Sequence, residues 1–145
     1  MGGIIFQEKD KKLELDITGY QYENCRGLDE YDSNWVMVRV NYSDPDLSFD
    51  CTDPCLLNFE LKEFADEIQE LELTETDLIK NFIEPYLSMA ITKTDDDFAF
   101  QIRFVYEMTE ESQKEAYICQ KFDLQGLRNL NNEFRRLYNK FPLRK

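Results

Sequence analysis

The chain has 145 residues, of which 42% are hydrophobic, and its 30 acidic and 17 basic side chains give a net charge of −13. This length and apolar content predict one domain spanning residues 1–145 rather than a disordered chain. The acidic balance argues against nucleic acid and anionic membrane surfaces as partners, because both are themselves negatively charged.

Alternation of apolar and polar residues predicts strands in the first third of the chain. In "KLELDITGY" (Lys12–Tyr20), Leu13, Leu15 and Ile17 fall on one face and polar residues fall on the other. This period of two is typical of a strand with one buried face. Three more strands are predicted at Ile4–Phe6, Asn34–Tyr42 and Leu47–Cys51.

Two segments follow the period of a helix instead. The first is expected to begin at the cap Asn58 and the second at the cap Asp123, with Pro142 ending the second near Lys140. The expected apolar stripes are Leu61, Phe64, Ala65, Ile68 and Leu71 in the first helix, and Leu124, Leu127, Leu130, Phe134, Leu137 and Tyr138 in the second. Strands are predicted between them at Leu78–Phe82, Leu87–Ile91, Phe98–Tyr106 and Glu115–Phe122.

The order of strands, helix, strands and helix predicts an α+β fold. Short loops without long crossovers favour a curved antiparallel β-sheet of about seven or eight strands with two packed α-helices. The entries of the two helices are alike, with Leu61 matching Leu124 and Phe64 matching Leu127. Two halves that each contain a meander and a helix would explain this likeness, and so would chance similarity between amphipathic helices.

The chemistry available to the chain is limited, because it contains no histidine. This excludes Ser-His-Asp and Cys-His catalytic arrangements and the zincin motif. The pair Cys51 and Cys55 has acidic neighbours in Asp50 and Asp53, which oppose formation of a reactive thiolate. An extended segment would hold the two Cα atoms roughly 13 Å apart, too far for a disulfide, whereas a tight turn at Pro54 would close that distance. We interpret the pair as buried small side chains, and we expect no metal and no cofactor.

Acidic clusters and a basic end remain as candidates for function. A pair such as Glu110 and Glu111 would support acid–base catalysis only if it were buried with a raised pKa. Residues 121–145 hold seven basic and two acidic side chains, so this end would face either the protein's own acidic helix or a separate partner. A metal-free enzyme or small-ligand binder with a carboxylate pair in a sheet cavity, and an adaptor that docks through the basic helix, therefore stay open as alternatives.

One ordered set of segments resembles a known family. The set is "LELDITGYQY", "YDSNWVMVRV", "PCLLNFEL", "FIEPYLSM", "VYEM" and "FDLQGLRNLNNEFRRLYNKFP". In this order and spacing the chain is similar to the WapI-type immunity proteins of bacterial polymorphic toxin systems, from about Leu13 to Arg144. None of these segments is a catalytic signature.

The resemblance implies a small non-catalytic binding protein that occludes a cognate toxin domain. An acidic inhibitor fits a basic, nuclease-type toxin, because opposite charges steer the two together. With no secretion signal and no apolar run long enough to cross a membrane, we expect a cytoplasmic location. The residues expected to contact the toxin are Asp29, Glu30, Tyr31 and Asp32, Asp95, Asp96 and Asp97, and Glu110 and Glu111, with Tyr20 and Tyr22 as further aromatic candidates.

Overall fold

The computed structural model describes residues 2–24, 26–29, 32–74, 76–82, 84 and 86–144. Within them the chain forms eight strands, two α-helices and a short 3-10 helix at Asp32–Asn34, which confirms the predicted α+β class. The elements are β1 (Ile4–Glu8), β2 (Lys11–Tyr20), β3 (Trp35–Ser43), β4 (Ser48–Leu57), α1 (Asn58–Leu71), β5 (Leu78–Asn81), β6 (Leu87–Lys93), β7 (Phe98–Met108), β8 (Gln113–Phe122) and α2 (Leu124–Lys140).

The strands are divided between two antiparallel sheets of four, ordered β1-β2-β3-β4 and β5-β6-β7-β8. Each sheet is a meander followed directly by a helix, so the chain consists of two halves with the same architecture. The buried faces of the helices correspond at one constant offset, which pairs Leu61 with Leu127 and Ile68 with Phe134. The sequence match of Leu61 with Leu124 was therefore out of register. Leu124 is 42% exposed and does not belong to the apolar stripe of α2.

The two sheets meet where β1 lies beside β8. The backbone N–H of Gln7 donates to Oε1 of Gln120 at 2.9 Å, and that of Cys119 donates to Oε1 of Glu8 at 3.0 Å. Beneath this junction the rings of Phe6 and Phe100 stack with centroids 4.9 Å apart. Side chains thus bridge two strand edges, and both sheets share one buried core.

The core is built from the faces that periodicity predicts. Leu13, Leu15 and Ile17 of β2 are fully buried, as the alternation in that strand requires. The helices pack against each other through Phe64 of α1 and Phe134 of α2, whose rings meet edge to face at 5.1 Å.

Two local predictions at the β4–α1 junction are wrong. Strand β4 does not end at Cys51 but continues through Pro54 to Leu57, which is possible because β4 is an edge strand and Pro54 needs no outward N–H partner. Asn58 is not the cap of α1. Leu57 occupies that position, and its backbone N–H donates to the carboxylate of Glu60 at 2.8 Å. At α2 the predicted cap is confirmed, since Asp123 accepts from the Gly126 N–H at 2.7 Å.

Candidate partner-binding surface

The predicted acidic residues lie on three separate connections between strands. They are the β2–β3 loop (residues 21–34), the turn Thr94–Asp97 between β6 and β7, and the turn Thr109–Ser112 between β7 and β8. Six of the residues are exposed, namely Asp29, Asp32, Asp95, Asp96, Glu110 and Glu111, and Asp97 is half-buried. Glu30 and Tyr31 lie outside the described residues.

These three connections do not form one patch. The turns at either end of β7 are separated by its 11 residues, or about 35 Å of extended chain. The β2–β3 loop contacts the start of α1, where the Asn58 amide donates to Asn34. The β6–β7 turn lies near the other end of α1, because the adjacent Lys93 donates to the carbonyl of Leu71. A helix of 14 residues places these two sites about 20 Å apart. A partner with a standard interface would therefore touch one or two of the clusters.

Ion pairs neutralise much of the acidic charge on the helices. Glu72, the residue that follows α1, pairs with Arg128 of α2 at 2.9 Å, and Asp66 of α1 pairs with Arg135 of α2 at 2.9 Å. Lys80 of β5 lies within 3.3 Å of carboxylates of two further α1 residues. Two arginines of the basic end, Arg128 and Arg135, therefore face the acidic helix α1 and the residue that follows it.

The acids of the loops differ from those of the helices. Within the described part of the chain, no ion pair involves the six exposed loop acids named above. Asp29 is held locally, because its side chain accepts from the N–H of Asp32 at 2.8 Å and its carbonyl accepts from Ser33 at 3.0 Å. The negative charge of these loops consequently faces solvent.

The β2–β3 loop is fastened by the segment that follows α2, Phe141–Arg144, which we call the strap. The Arg144 guanidinium donates to the carbonyl of Ser33 at 2.9 Å, and to those of Glu23 and Tyr22 at 3.1 Å each. It also lies over the ring of Tyr20, 3.7 Å from the centroid. One side chain thus joins the outgoing and returning arms of the loop.

Two buried asparagines extend this connection into the core. Asn34 is 0% exposed and Asn58 is 1% exposed. The amide oxygen of Asn34 accepts from the backbone N–H of Arg144 at 2.7 Å and from the Asn58 amide at 3.1 Å, while its own amide donates to the Arg144 carbonyl at 3.1 Å. Asn58 also donates to the carbonyl of Phe141 at 3.0 Å. The strap, the loop and the start of α1 are therefore one hydrogen-bonded unit.

The aromatic candidates of the loop have different environments. Tyr20 supports the strap, since its hydroxyl donates to the carbonyl of Pro142 at 2.6 Å and its ring meets Phe141 edge to face at 5.3 Å. Tyr22 is 45% exposed and remains accessible for contact. Sequence analysis did not find the strap. The available signal was the polar pair Asn34 and Asn58 at positions where strand and helix patterns call for apolar residues.

Cys51 and Cys55 are free thiols whose surroundings oppose ionisation. Burial, followed by the charge of Asp53, raises the pKa of Cys51 to about 11 and that of Cys55 to about 12. Both values lie far above neutral pH, so the thiolate needed for nucleophilic or redox chemistry is scarce. Their environment agrees with small side chains that fill space on β4.

A cavity of about 370 Å³ lies between β1, the end of β8 and α2. Its lining includes Ile4, Phe6 and Phe122 and one carboxylate, that of Glu133. This carboxylate is 2.5 Å from the guanidinium of Arg136. The enzyme or small-ligand alternative requires a pair of carboxylates in a cavity. The lining of this cavity provides a single carboxylate, and that carboxylate is ion-paired.

The chain was compared with models of known protein families and with curated proteins. A family model described as the Immunity protein WapI-like family matches residues 4–142. A search of curated proteins returned no significant match. Among the described residues, no helix is long and apolar enough to cross a membrane.

Proposed function

The chain belongs to the WapI-like immunity protein family, and we propose that it binds the toxin domain of a cognate partner in the cytoplasm and blocks it without catalysis. The observation that carries this proposal is the family match, which spans nearly the whole chain. Occlusion requires only a complementary surface, and a chain without histidine can provide one as well as any other.

The charge distribution supports a basic toxin. A protein of net charge −13 attracts cationic surfaces over distances of about a Debye length, roughly 8 Å at physiological salt. Nuclease domains need basic surfaces to hold phosphates, so an acidic inhibitor that covers such a surface also displaces the substrate. We therefore propose a basic, nuclease-type domain as the partner, bound one to one.

The β2–β3 loop is the proposed centre of the contact. It presents the carboxylates of Asp29 and Asp32, and the sequence adds Glu30 and Tyr31 to the same loop. The exposed ring of Tyr22 supplies apolar contact area beside them, a combination that is common at the centres of interfaces. The acids of the β6–β7 turn lie about 20 Å away. Those of the β7–β8 turn follow Tyr106, which stacks on Phe49 near the end of β3 opposite the β2–β3 loop. Both sets therefore contribute mainly to long-range attraction.

Association kinetics with the toxin domain encoded by the neighbouring gene would test this proposal. The association rate of the parent chain is expected to fall steeply as salt rises, because steering between exposed charges is screened. The double variant Asp29→Asn, Asp32→Asn should weaken binding more than Glu110→Gln, Glu111→Gln, which removes the same charge at a distant turn. A salt-independent association rate, or no binding by the parent chain, would contradict the proposal.

A further inference from the structure

Arg144 lies in a position to control the shape of the β2–β3 loop. Its guanidinium contacts carbonyls on both arms of that loop, at Tyr22 and Glu23 after β2 and at Ser33 before β3. Its backbone N–H and carbonyl both bond to the Asn34 side chain. The residue also lies beyond the part of the chain that the family model matches.

The contacts within the described loop are too local to fix its shape alone. The Asp29 side chain bonds to Asp32 three residues away, and Asn24 bonds to Arg26 two residues away. Gly27 adopts a φ of 77°, a left-handed conformation that allows the chain to turn there. Local turns of this kind shape the tip of a loop but leave its two arms free to separate. Among the described residues, the Gln21 N–H bonds to the Trp35 carbonyl at the base of the loop, and the Arg144 guanidinium joins the two arms beyond that point.

We infer that Arg144 is a positioning residue for toxin binding, which holds the β2–β3 loop in the conformation that the toxin recognises. This inference rests on the proposed function. A preformed loop binds without first being ordered, and the apparent dissociation constant rises in proportion as the competent conformation becomes rarer. If loss of the guanidinium lowers the competent fraction to one tenth, the affinity falls about tenfold.

Lysine cannot replace arginine in this role. The guanidinium presents five donors in a rigid plane and reaches both arms at once, whereas an ammonium group is a single point of charge on a flexible stem. We expect Arg144→Lys to keep the net charge and lose most of the positioning effect. Arg144→Ala should lose all of it.

The experiment compares Arg144→Ala and Arg144→Lys with the control Arg128→Ala. Arg128 pairs with Glu72 between the helices, so the control removes the same charge far from the loop. Hydrogen exchange is measured in the free proteins at the N–H groups of Gln21, Asp32 and Ser33, which are hydrogen-bonded in the loop. Binding to the inactivated toxin domain of the neighbouring gene is measured for each variant.

If this inference holds, both Arg144 variants should exchange these amides at least tenfold faster and bind about tenfold more weakly, while Arg128→Ala matches the parent chain. Unchanged exchange would overturn it, and so would faster exchange with parental affinity, since the loop would then be held without serving recognition. If Arg144→Ala does not fold, Arg144→Lys carries the test. Failure of the parent chain to bind would refute the proposed function instead, and the exchange data would show separately whether Arg144 fastens the loop.

Discussion

The substitution Asn34→Ala tests how firmly the strap is joined to the core. It removes two bonds to the Arg144 backbone and one to the Asn58 amide, at a position that is 0% exposed. A buried polar group left without its partner costs about 1–3 kcal/mol. Because Arg144 is half-buried, water can replace part of the hydrogen bonding that its backbone N–H and carbonyl lose. We therefore expect Asn34→Ala to lower the free energy of unfolding by about 3 kcal/mol. This corresponds to a melting temperature lower by roughly 10 °C for a chain of this size.

A double-mutant cycle with Arg144→Ala makes the test specific. Arg144→Ala alone removes charge-assisted bonds and the contact with Tyr20, for an expected loss of about 2 kcal/mol. Once the strap has been loosened by either change, the other has less to remove. The double variant should therefore lose about 1.5 kcal/mol less than the two single losses added together.

Urea unfolding followed by circular dichroism would measure all four proteins, with Asn41→Ala as the control. Asn41 is an asparagine of β3, and its amide makes only an exposed 3.5 Å contact with Asp50. Its replacement should change the free energy of unfolding by less than about 0.5 kcal/mol. Additive losses within about 0.5 kcal/mol would show that the strap and the buried asparagine act independently, and would refute the interpretation of a single hydrogen-bonded unit.

Three further predictions concern other parts of the fold. Asn131→Ala should raise the free energy of unfolding, measured by urea titration, by about 1 kcal/mol. The buried amide oxygen of Asn131 has no hydrogen-bond partner among the described residues, and alanine favours a helix. A loss of stability would contradict this prediction. Gly3→Ala should lower the melting temperature, because the added Cβ would lie 2.0 Å from a backbone carbonyl oxygen of the neighbouring strand. A Cβ added at Gly19 would meet nothing within 4 Å, so Gly19→Ala should lower the melting temperature far less. Equal effects of the two substitutions would refute the close approach at Gly3. At pH 8 a thiol reagent should label the exposed Cys119 much faster than the buried Cys55. The pKa of Cys55 is about 12, so little of its thiol is ionised until the pH approaches that value. Mass spectrometry of the labelled peptides would measure both rates, and rapid labelling of Cys55 would disprove the assigned burial.

The sequence predicted the strands and helices well because their signals are local. Leu13, Leu15 and Ile17 alternate strictly, and their burial follows from the geometry of a single strand. The cap of α2 was equally predictable, because Asp123 needs only a backbone N–H three residues away. The extension of β4 through Pro54 was missed because tolerance of proline depends on the position of that strand at a sheet edge, which only the fold determines.

The features that shape the candidate surface depend on distant parts of the chain. Asn58 is a good cap residue by type, yet its side chain bonds to Asn34 and Phe141, 24 and 83 positions away. The loop acids were identified correctly as residues of turns, but their separation into three clusters follows from the lengths of β7 and α1 and from how these elements are arranged. Composition indicates how much negative charge there is, and topology determines where it meets a partner.

The strap also bears on the order in which the protein is made. The hydrogen bonds of Arg144 connect residues 110 to 122 positions apart, and closing so long a stretch of chain costs entropy before any contact forms. During translation, Arg144 leaves the ribosome after both sheets and after the loop that it fastens. We therefore expect a nascent chain to assemble its core first and to order the proposed binding loop only after Arg144 has been added, so that a chain still lacking Arg144 would hold this loop less firmly.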